Sequence, residues 1–381
     1  MVELKEVIDE ETGKKRILLQ DRLYSIKDNP IGVREKFWII RRGGNVIQES
    51  PLVTDILFKY NRNDVSCEDY GEAIASKIFQ KSKVPCVTYY LAENTKLDGT
   101  KINGVLCGSY KTNNNQLETS VYDLQTKCTD LKFNSRTGET NKSINTVYGI
   151  MRDLHEVIKT DKEGRFFFEH IQNELIKQAL MDFILAQTDR HWLNTTFLEF
   201  DAKDRHVILK SKCYDNGCIS YLKRKRQAIK TITSQVKGDY IGSDRMKQLM
   251  SSYCPMFGIK SSTVQIDMDK YQKTGSIEKL KIKEDDHIKD KFIDELSKEI
   301  LTNPEIAVFY KLMLHSFHYD ANSRTIDLGE VFNELSAGGD EIPKEIKDMV
   351  TGVMTYQINE IQTVLDKKLG KNRRSETSWE R

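Results

Sequence analysis

Strand-like segments fill the first part of this sequence and helix-like segments dominate the rest, and this order restricts the possible folds more than any other feature. The strand patterns are apolar or alternating runs between turn residues, and they lie at 17–19, 36–40, 54–60, 87–92 and 102–107. The helix patterns repeat apolar residues every three or four positions, at 146–159, 167–185, 243–252, 287–302, 304–317 and 343–369. Such a division predicts an α+β fold, sheet first and helices second.

A polar run marks the change from one part to the other. It reads Thr112-Asn113-Asn114-Asn115-Gln116, and we interpret it as the hinge between two lobes. The predicted domains are an N-lobe at 1–112, a larger and mainly helical C-lobe at 113–368, and a solvated tail at 369–381. The N-lobe is expected to be a small antiparallel sheet of about five strands with one helix, at 69–80.

Composition excludes several function classes. Lys and Arg number 59 against 57 for Asp and Glu, a formal net charge of +2, which argues against a nucleic-acid or membrane partner held by bulk charge. The seven cysteines are scattered and form no Cys-x-x-Cys pair, as expected for reduced thiols. No run approaches the roughly 18 apolar residues of a membrane span, and the first residues lack an apolar signal core. We therefore predict a cytoplasmic protein without direct nucleic-acid or membrane binding.

Two acids and an amide follow the helix pattern at 167–185. Asp189 and Asn194 are five positions apart in Thr188-Asp189-Arg190-His191-Trp192-Leu193-Asn194. A second acid, Asp215, comes after two strand patterns at 195–200 and 206–209 and opens the turn Asp215-Asn216-Gly217. Carboxylate and amide oxygens are hard ligands of the kind that Mg²⁺ takes. The spacing indicates a site that positions a metal and an acceptor hydroxyl.

A lysine and a glutamate in the N-lobe have a related arrangement. Lys59 lies near the end of the strand pattern at 54–60, and Glu72 lies one turn into the helix pattern that follows. The two side chains could face each other across strand and helix, as an ion pair.

Each of these residues alone also has a purely structural explanation. Lys59 could be a solvated charge, Asp189 could cap a local turn, and Asp215-Asn216-Gly217 could be an ordinary hairpin turn. For His191 we favour an imidazole packed behind its loop, whereas Arg190 could pair with a carboxylate or with a phosphorylated residue. None of these structural explanations accounts for the position of Asp189 and Asp215 on either side of one pair of strand patterns after a buried helix.

Taken together, four motifs resemble those of the HipA-like serine/threonine kinases, and the compact CtkA-type members are the most similar. The motifs are Phe58-Lys59-Tyr60, Glu68-Asp69-Tyr70-Gly71-Glu72, Thr188 to Asn194, and Tyr214-Asp215-Asn216-Gly217. The resemblance covers Phe37 to Gly217 by motif. It implies a bilobal protein-kinase-like fold and an ATP- and Mg²⁺-dependent kinase that phosphorylates serine or threonine, including its own.

The resemblance also implies a role for each residue. Lys59 would bind the α- and β-phosphates, Glu72 would hold Lys59, and Asp189 would orient or deprotonate the acceptor. Asn194 and Asp215 would bind Mg²⁺. Toxin members of the family further imply a small antitoxin-like partner.

The loop that covers the phosphates departs from the pattern of ordinary kinases, because no Gly-x-Gly-x-x-Gly precedes Lys59. We prefer Gly32, in the segment 29–34, as its glycine, since Gly43-Gly44 is typical of a tight hairpin turn. The basic run at 223–226 is either a solvated loop or an acceptor-docking patch. Thr231, Thr233 and Ser234 are candidate autophosphorylation sites.

Two other functions stay open. A nucleotide-binding regulatory module without turnover would need only part of this set of residues, although keeping Lys59, Asp189, Asn194 and Asp215 together favours turnover. A phosphoinositide or small-molecule kinase is the second alternative, since the family's fold is similar to that of phosphoinositide kinases. We favour a protein acceptor, because the chain has neither a concentrated basic face nor an aromatic amphipathic helix for a lipid surface.

Overall fold

The computed structural model describes residues 1–28, 34–40, 55–61, 66–109, 116–120, 168–187, 195–202, 205–223, 225–235, 288–337 and 341–376. Within these ranges strands come first and helices predominate later, so the mixed α and β composition and its order are as predicted. The predicted helices at 146–159 and 243–252 and the first four residues of the predicted hinge lie outside the described residues.

Seven strands in the first part form a closed barrel. They are β1 (Val2–Ile8), β2 (Lys15–Leu19), β3 (Arg22–Asp28), β4 (Lys36–Ile40), β5 (Ile56–Tyr60), β6 (Tyr89–Thr95) and β7 (Lys101–Gly108). The order around the barrel is β1-β2-β3-β4-β5-β7-β6, and the parallel pair β1 and β6 closes it. All other neighbours are antiparallel. The prediction of a simple antiparallel sheet of about five strands is wrong, because β1 and β3 complete a ring.

Apolar side chains fill the barrel. They are Leu4, Ile17, Leu19, Phe37, Ile39, Phe58, Tyr60, Ala92 and Leu106. The Phe58 ring stacks on that of Phe37 at 5.3 Å between centroids and meets the edge of Tyr60 at 4.7 Å. Because successive residues of a strand point to opposite faces, the inward positions of Phe58 and Tyr60 turn Lys59 outward.

One helix, α1 (Glu68–Lys81), connects β5 to β6 and packs through Ile74, Ile78 and Phe79 into a second, larger core. Its bounds agree with the helix predicted at 69–80. Salt bridges from Lys77 to Glu334 and from Lys81 to Glu330 join α1 to the later helices.

The later part combines a small sheet with six described helices. The antiparallel sheet consists of β8 (Leu117–Ser120), β9 (Thr196–Ala202) and β10 (Arg205–Lys210). The helices are α2 (Phe168–Ile184), α3 (Arg226–Gln235), α4 (Ile288–Thr302), α5 (Pro304–Ser316), α6 (Gly329–Ser336) and α7 (Lys344–Glu376). Sequence analysis missed β8, α3 and α6, and α7 continues past its predicted end at Leu369.

Helix α2 lies in the middle of the larger core. Its Phe183 ring meets Phe292 of α4 at 5.8 Å between centroids, and the side-chain amide of Gln357 on α7 donates to the Phe183 carbonyl at 3.1 Å. The same core includes buried residues of α1. Helix α1 is therefore packed between the barrel and the helical part. No helix in the described ranges has an apolar stretch long enough to cross a membrane.

Candidate active site

The ammonium group of Lys59 joins two carboxylates that come from distant parts of the chain. Its Nζ atom lies 2.6 Å from Oε1 of Glu72 and 2.7 Å from Oδ1 of Asp215. Lys59 is on β5, Glu72 is on α1, and Asp215 follows β10, so one cation connects the barrel, its helix and the later sheet. The structure thus brings together three of the residues that sequence analysis had selected.

Glu72 is fully buried, and both of its carboxylate oxygens are engaged. Oε1 accepts hydrogen bonds from Lys59 and, at 3.2 Å, from Nη1 of Arg34. Oε2 accepts one from the backbone N–H of Asn216 at 2.6 Å. A carboxylate held by these three groups has no oxygen left facing solvent for a metal. Its position suits a residue that fixes Lys59 and the Asp215 turn relative to each other.

The backbone of Asp215 is held in a left-handed conformation, with φ of +56°. Aspartate is one of the few non-glycine residues that tolerate this region. The Asp215 N–H donates to the Tyr89 hydroxyl at 3.2 Å, and its carbonyl accepts from the side-chain amide of Gln187 at 3.1 Å. The Asp215 side chain is 35% exposed, whereas the Lys59 side chain is 5% exposed. Asp215 therefore extends from the buried cluster toward solvent.

Two glycines bring α1 against the turn that contains Asp215. A Cβ added to Gly71 would lie 2.5 Å from the carbonyl oxygen of Gly217, closer than real Cβ contacts come. Any side chain at Gly71 would push helix and turn apart. Because Glu72 is the next residue on α1, this close backbone packing sets its reach to Lys59 and to the Asn216 N–H.

The electrostatics of the cluster favour its charged state. Burial acts to lower the pKa of Lys59, but the carboxylates of Asp215 and Glu72 outweigh burial, and the net pKa is raised. For Asp215 burial acts to raise the pKa, yet Lys59, Arg34 and Lys36 bring it below its ordinary value. Lys59 and Asp215 are therefore both ionised at neutral pH.

Arg34 is a component of the site that sequence analysis missed. It is buried just before β4, and its Nε donates to the Tyr60 carbonyl at 2.9 Å while Nη1 pairs with Glu72. Its Nη2 is buried without a hydrogen-bond partner among the described residues. Arg34 ends the segment predicted to cover the phosphates, where only Gly32 had been given a role. The sequence feature that could have identified it is an arginine just before a strongly apolar strand.

Several predicted site residues lie outside the described residues. They are Asp189, Asn194, Gly32, Gly43, Gly44, Arg190 and His191. The described chain stops at Gln187, whose side-chain amide contacts the Asp215 carbonyl, and resumes at the buried Thr195. Gln187 therefore contacts the turn that contains Asp215, while the roles of Asp189 and Asn194 stay predictions.

Within the described ranges no three His, Cys, Asp or Glu residues are grouped so as to hold a metal ion. Of the two predicted Mg²⁺ ligands, Asp215 alone is described. Its carboxylate is ionised, partly exposed and a hard oxygen donor, properties that suit Mg²⁺. Glu72 does not suit it, since its oxygens are already engaged.

The basic run after the Asp215 turn leads into a helix. Lys223 and Lys225 are exposed, and Arg226 starts α3 and pairs with Glu345 of α7 at 2.7 Å. The residues that follow the basic run thus form α3. Thr233 lies on that helix and donates to the Lys230 carbonyl at 3.1 Å. Docking and autophosphorylation at this segment stay predictions.

Comparison with known proteins finds similarity in structure only. No family model and no curated protein matches the sequence. The Helicobacter pylori proinflammatory kinase CtkA matches with a TM-score of 0.53 at 11% identity, over 90% of this chain and 96% of that one. HipA of Shewanella oneidensis, solved with HipB and operator DNA, matches with a TM-score of 0.34 at 9% identity, over 89% of this chain and 67% of that one. The second match is too weak to bear on the fold, and the first shows that this chain has the fold of the kinase CtkA.

Proposed function

We propose that this protein is a HipA-like protein kinase that transfers the γ-phosphate of ATP to serine or threonine hydroxyls with the help of Mg²⁺. The observation that carries the proposal is the cluster of Lys59, Glu72 and Asp215, assembled from three separate elements. Phosphoryl transfer needs charge neutralisation and positioning more than covalent chemistry. A buried lysine fixed by one carboxylate beside a second, exposed carboxylate meets that need.

Lys59 is suited to bind the phosphate chain because its ammonium has three donors and two carboxylate partners. Glu72 holds it from the buried side, so a phosphate oxygen can approach from the side of Asp215. Asp215 and Asn194 would hold Mg²⁺. When bound, Mg²⁺ neutralises charge on the phosphate oxygens and so makes the γ-phosphorus easier to attack.

Asp189 is proposed to act on the acceptor. The hydroxyl oxygen of serine or threonine forms a bond to the γ-phosphorus, the bond from that phosphorus to the bridging oxygen breaks, and ADP leaves. The hydroxyl proton passes to the Asp189 carboxylate. Since proton removal is needed only late in such a reaction, a carboxylate of ordinary pKa suffices.

A phosphate-transfer assay tests the proposal. Purified protein is incubated with γ-labelled ATP and Mg²⁺, alone and with a mixed protein substrate, and phosphoamino acids are identified by mass spectrometry. The expected result is phosphoserine or phosphothreonine in the wild type and none in Asp215→Ala. Asp98→Asn is the matched control, because Asp98 lies in the exposed turn between β6 and β7 and should leave transfer unchanged.

The same assay distinguishes the alternatives. Label on phosphoinositide vesicles with none on protein would replace the protein-kinase proposal with a lipid kinase. ATP binding without transfer to any acceptor would indicate a regulatory module.

Partner and location stay predictions. A small antitoxin-like partner was implied by the family resemblance, and copurification from the native host tests it. All five described cysteines are free thiols, namely Cys67, Cys86, Cys107, Cys213 and Cys218. Free thiols agree with the predicted reducing cytoplasm, which fractionation would test.

A further inference from the structure

Two cysteines are paired where the barrel meets the later part of the chain. Cys86 lies between α1 and β6, and Cys213 lies between β10 and the Asp215 turn. The two cysteines are partners in an isolated parallel β-bridge. The Cys213 N–H donates to the Pro85 carbonyl at 2.9 Å, and the Val87 N–H donates to the Cys213 carbonyl at 2.9 Å. These two hydrogen bonds hold the backbone of Cys213 beside that of Cys86.

The pairing gives the two cysteines the backbone geometry that a disulfide bond needs. Paired strands lie about 4.8 Å apart, and directly paired residues project from the same face. Disulfides join residues whose Cα atoms are roughly 4.4 to 6.8 Å apart. The two sulfurs are also close enough to interact electrostatically, because Cys213 is one of the groups that raise the pKa of Cys86. Both residues are thiols in this structure, so the pair is reduced but placed for oxidation.

The two thiols differ in their access to solvent. Cys213 is buried, whereas Cys86 is partly exposed. The Cys86 thiol donates to the Ser76 carbonyl on α1 at 3.2 Å, and a thiol is only a weak donor. Burial raises the pKa of Cys86 to about 12, so the thiol is protonated at neutral pH and reacts slowly. A reagent in solution therefore reaches Cys86 first, and Cys213 reacts from within the protein.

We propose that Cys86 and Cys213 form an oxidation site, at which a small disulfide such as oxidised glutathione converts the two thiols into one disulfide bond. First, the Cys86 thiolate attacks one sulfur of the reagent, the S–S bond of the reagent breaks, and one glutathione thiolate leaves. Second, the Cys213 thiolate attacks the Cys86 sulfur of this mixed disulfide, and the other glutathione thiolate leaves. The two thiol protons pass to the two glutathione thiolates. Two protein thiols are oxidised, and one glutathione disulfide is reduced.

The disulfide would tie the barrel covalently to the segment that enters the Asp215 turn. In the reduced protein, the two hydrogen bonds of Cys213 and the bond from the Asp215 N–H to the Tyr89 hydroxyl contribute to this connection. A cross-link between residues far apart in the sequence restricts the unfolded chain and so stabilises the fold. Oxidation should therefore raise the melting temperature by about 5 °C. This oxidation does not require that the protein be a kinase.

Peptide mapping by mass spectrometry tests the site on the full chain, after incubation with oxidised or with reduced glutathione and alkylation of the remaining thiols. The expected main product with oxidised glutathione is a peptide cross-linked through Cys86 and Cys213, which dithiothreitol reverses. The melting temperature of the wild type should rise, and that of Cys86→Ala and Cys213→Ala should not. Cys67→Ala is the matched control, since Cys67 is a buried cysteine outside this bridge and its variant should cross-link like the wild type.

The cross-link is mapped in the wild type, so the test holds even if a variant fails to fold. Three results would overturn the proposal. They are recovery of both thiols unmodified after long exposure, a stable mixed disulfide with glutathione at Cys86 without a cross-link, and cross-links that join other cysteines instead. An unchanged melting temperature in the cross-linked protein would overturn its stabilising effect.

Discussion

Two neighbouring residues of β5, Lys59 and Tyr60, belong to two polar clusters on opposite sides of the barrel wall. Inside, the Tyr60 hydroxyl lies 2.6 Å from Nδ2 of Asn94 and 3.3 Å from Oε1 of Glu6. Outside, Lys59 joins Glu72 and Asp215. The inner cluster takes all its members from barrel strands, whereas the outer cluster combines strand, helix and a distant turn.

The difference separates a structural role from a chemical one. The inner residues are buried in the barrel, and burial raises the pKa of the Tyr60 hydroxyl, which stays neutral. The outer cluster contains one carboxylate, that of Asp215, whose side chain is 35% exposed. Disrupting the inner cluster should therefore affect stability alone, and disrupting the outer one should affect ligand binding and transfer.

The largest effect is expected at Asp215. Asp215→Ala should reduce phosphate transfer by about a thousandfold or more and abolish metal-dependent nucleotide binding. The reason is that this carboxylate is proposed to bind Mg²⁺ already in the ground state, before transfer. Asp189→Asn should also remove transfer but leave ATP affinity nearly intact, since its contribution comes in the transition state. Calorimetric titration of both variants measures this. Equal loss of ATP binding in the two would contradict their separate roles.

The next effect concerns the contact between Lys59 and Glu72. Lys59→Met and Glu72→Gln should each lower activity by about a hundredfold, because either change releases the ammonium from its position. The double variant should lose much less than the product of the two losses. A double-mutant cycle on kcat/KM measures the coupling. Independent effects would show that Glu72 does not act through Lys59.

Another carboxylate, the buried Asp69, contrasts with Asp215 because it has no ion pair within the described residues. Burial raises its pKa to about 6. Since the folded pKa exceeds the unfolded value of about 3.9, this group makes the fold less stable as pH rises from about 4 to 6. The loss is about 3 kcal/mol at most. Denaturant unfolding from pH 4 to 7 should show that Asp69→Asn removes this slope, and a slope unchanged from wild type would argue against a buried charge.

The smallest effect belongs to the inner cluster. Tyr60→Phe removes one buried hydroxyl and should lower the free energy of unfolding by about 1 kcal/mol, with kcat/KM unchanged. Thermal unfolding and the transfer assay measure the two quantities. A large loss of activity without loss of stability would contradict the purely structural role of the inner cluster.

The sequence alone predicted most elements but not the closure of the barrel. Alternation or apolar runs located β2, β4, β5, β6 and β7 to within a few residues. The strand β1 was missed because its inward position at Glu6 is a carboxylate, so apolar alternation fails there. Its parallel pairing with β6 joins residues 90 positions apart, such as Val2 and Ala92, and local patterns hold no information about such contacts.

For the candidate site, residue type and spacing selected Lys59, Glu72 and Asp215 before any contact was known. Arg34 was missed, because its importance depends on its contacts with Tyr60 on β5 and with Glu72 on α1. A basic residue next to an apolar strand is common on protein surfaces, and only the fold shows that Arg34 is buried. Asp189 and Asn194 rest on spacing and resemblance alone.

A crystal structure with Mg²⁺ and a non-hydrolysable ATP analogue would test the central claim most directly. The phosphate chain should lie within hydrogen-bond distance of Lys59 Nζ, with a metal ion on the Asp215 carboxylate and Glu72 still paired to Lys59. A nucleotide bound elsewhere, or a phosphate chain out of reach of both Lys59 and Asp215, would contradict the claim that this cluster is the active site of a kinase.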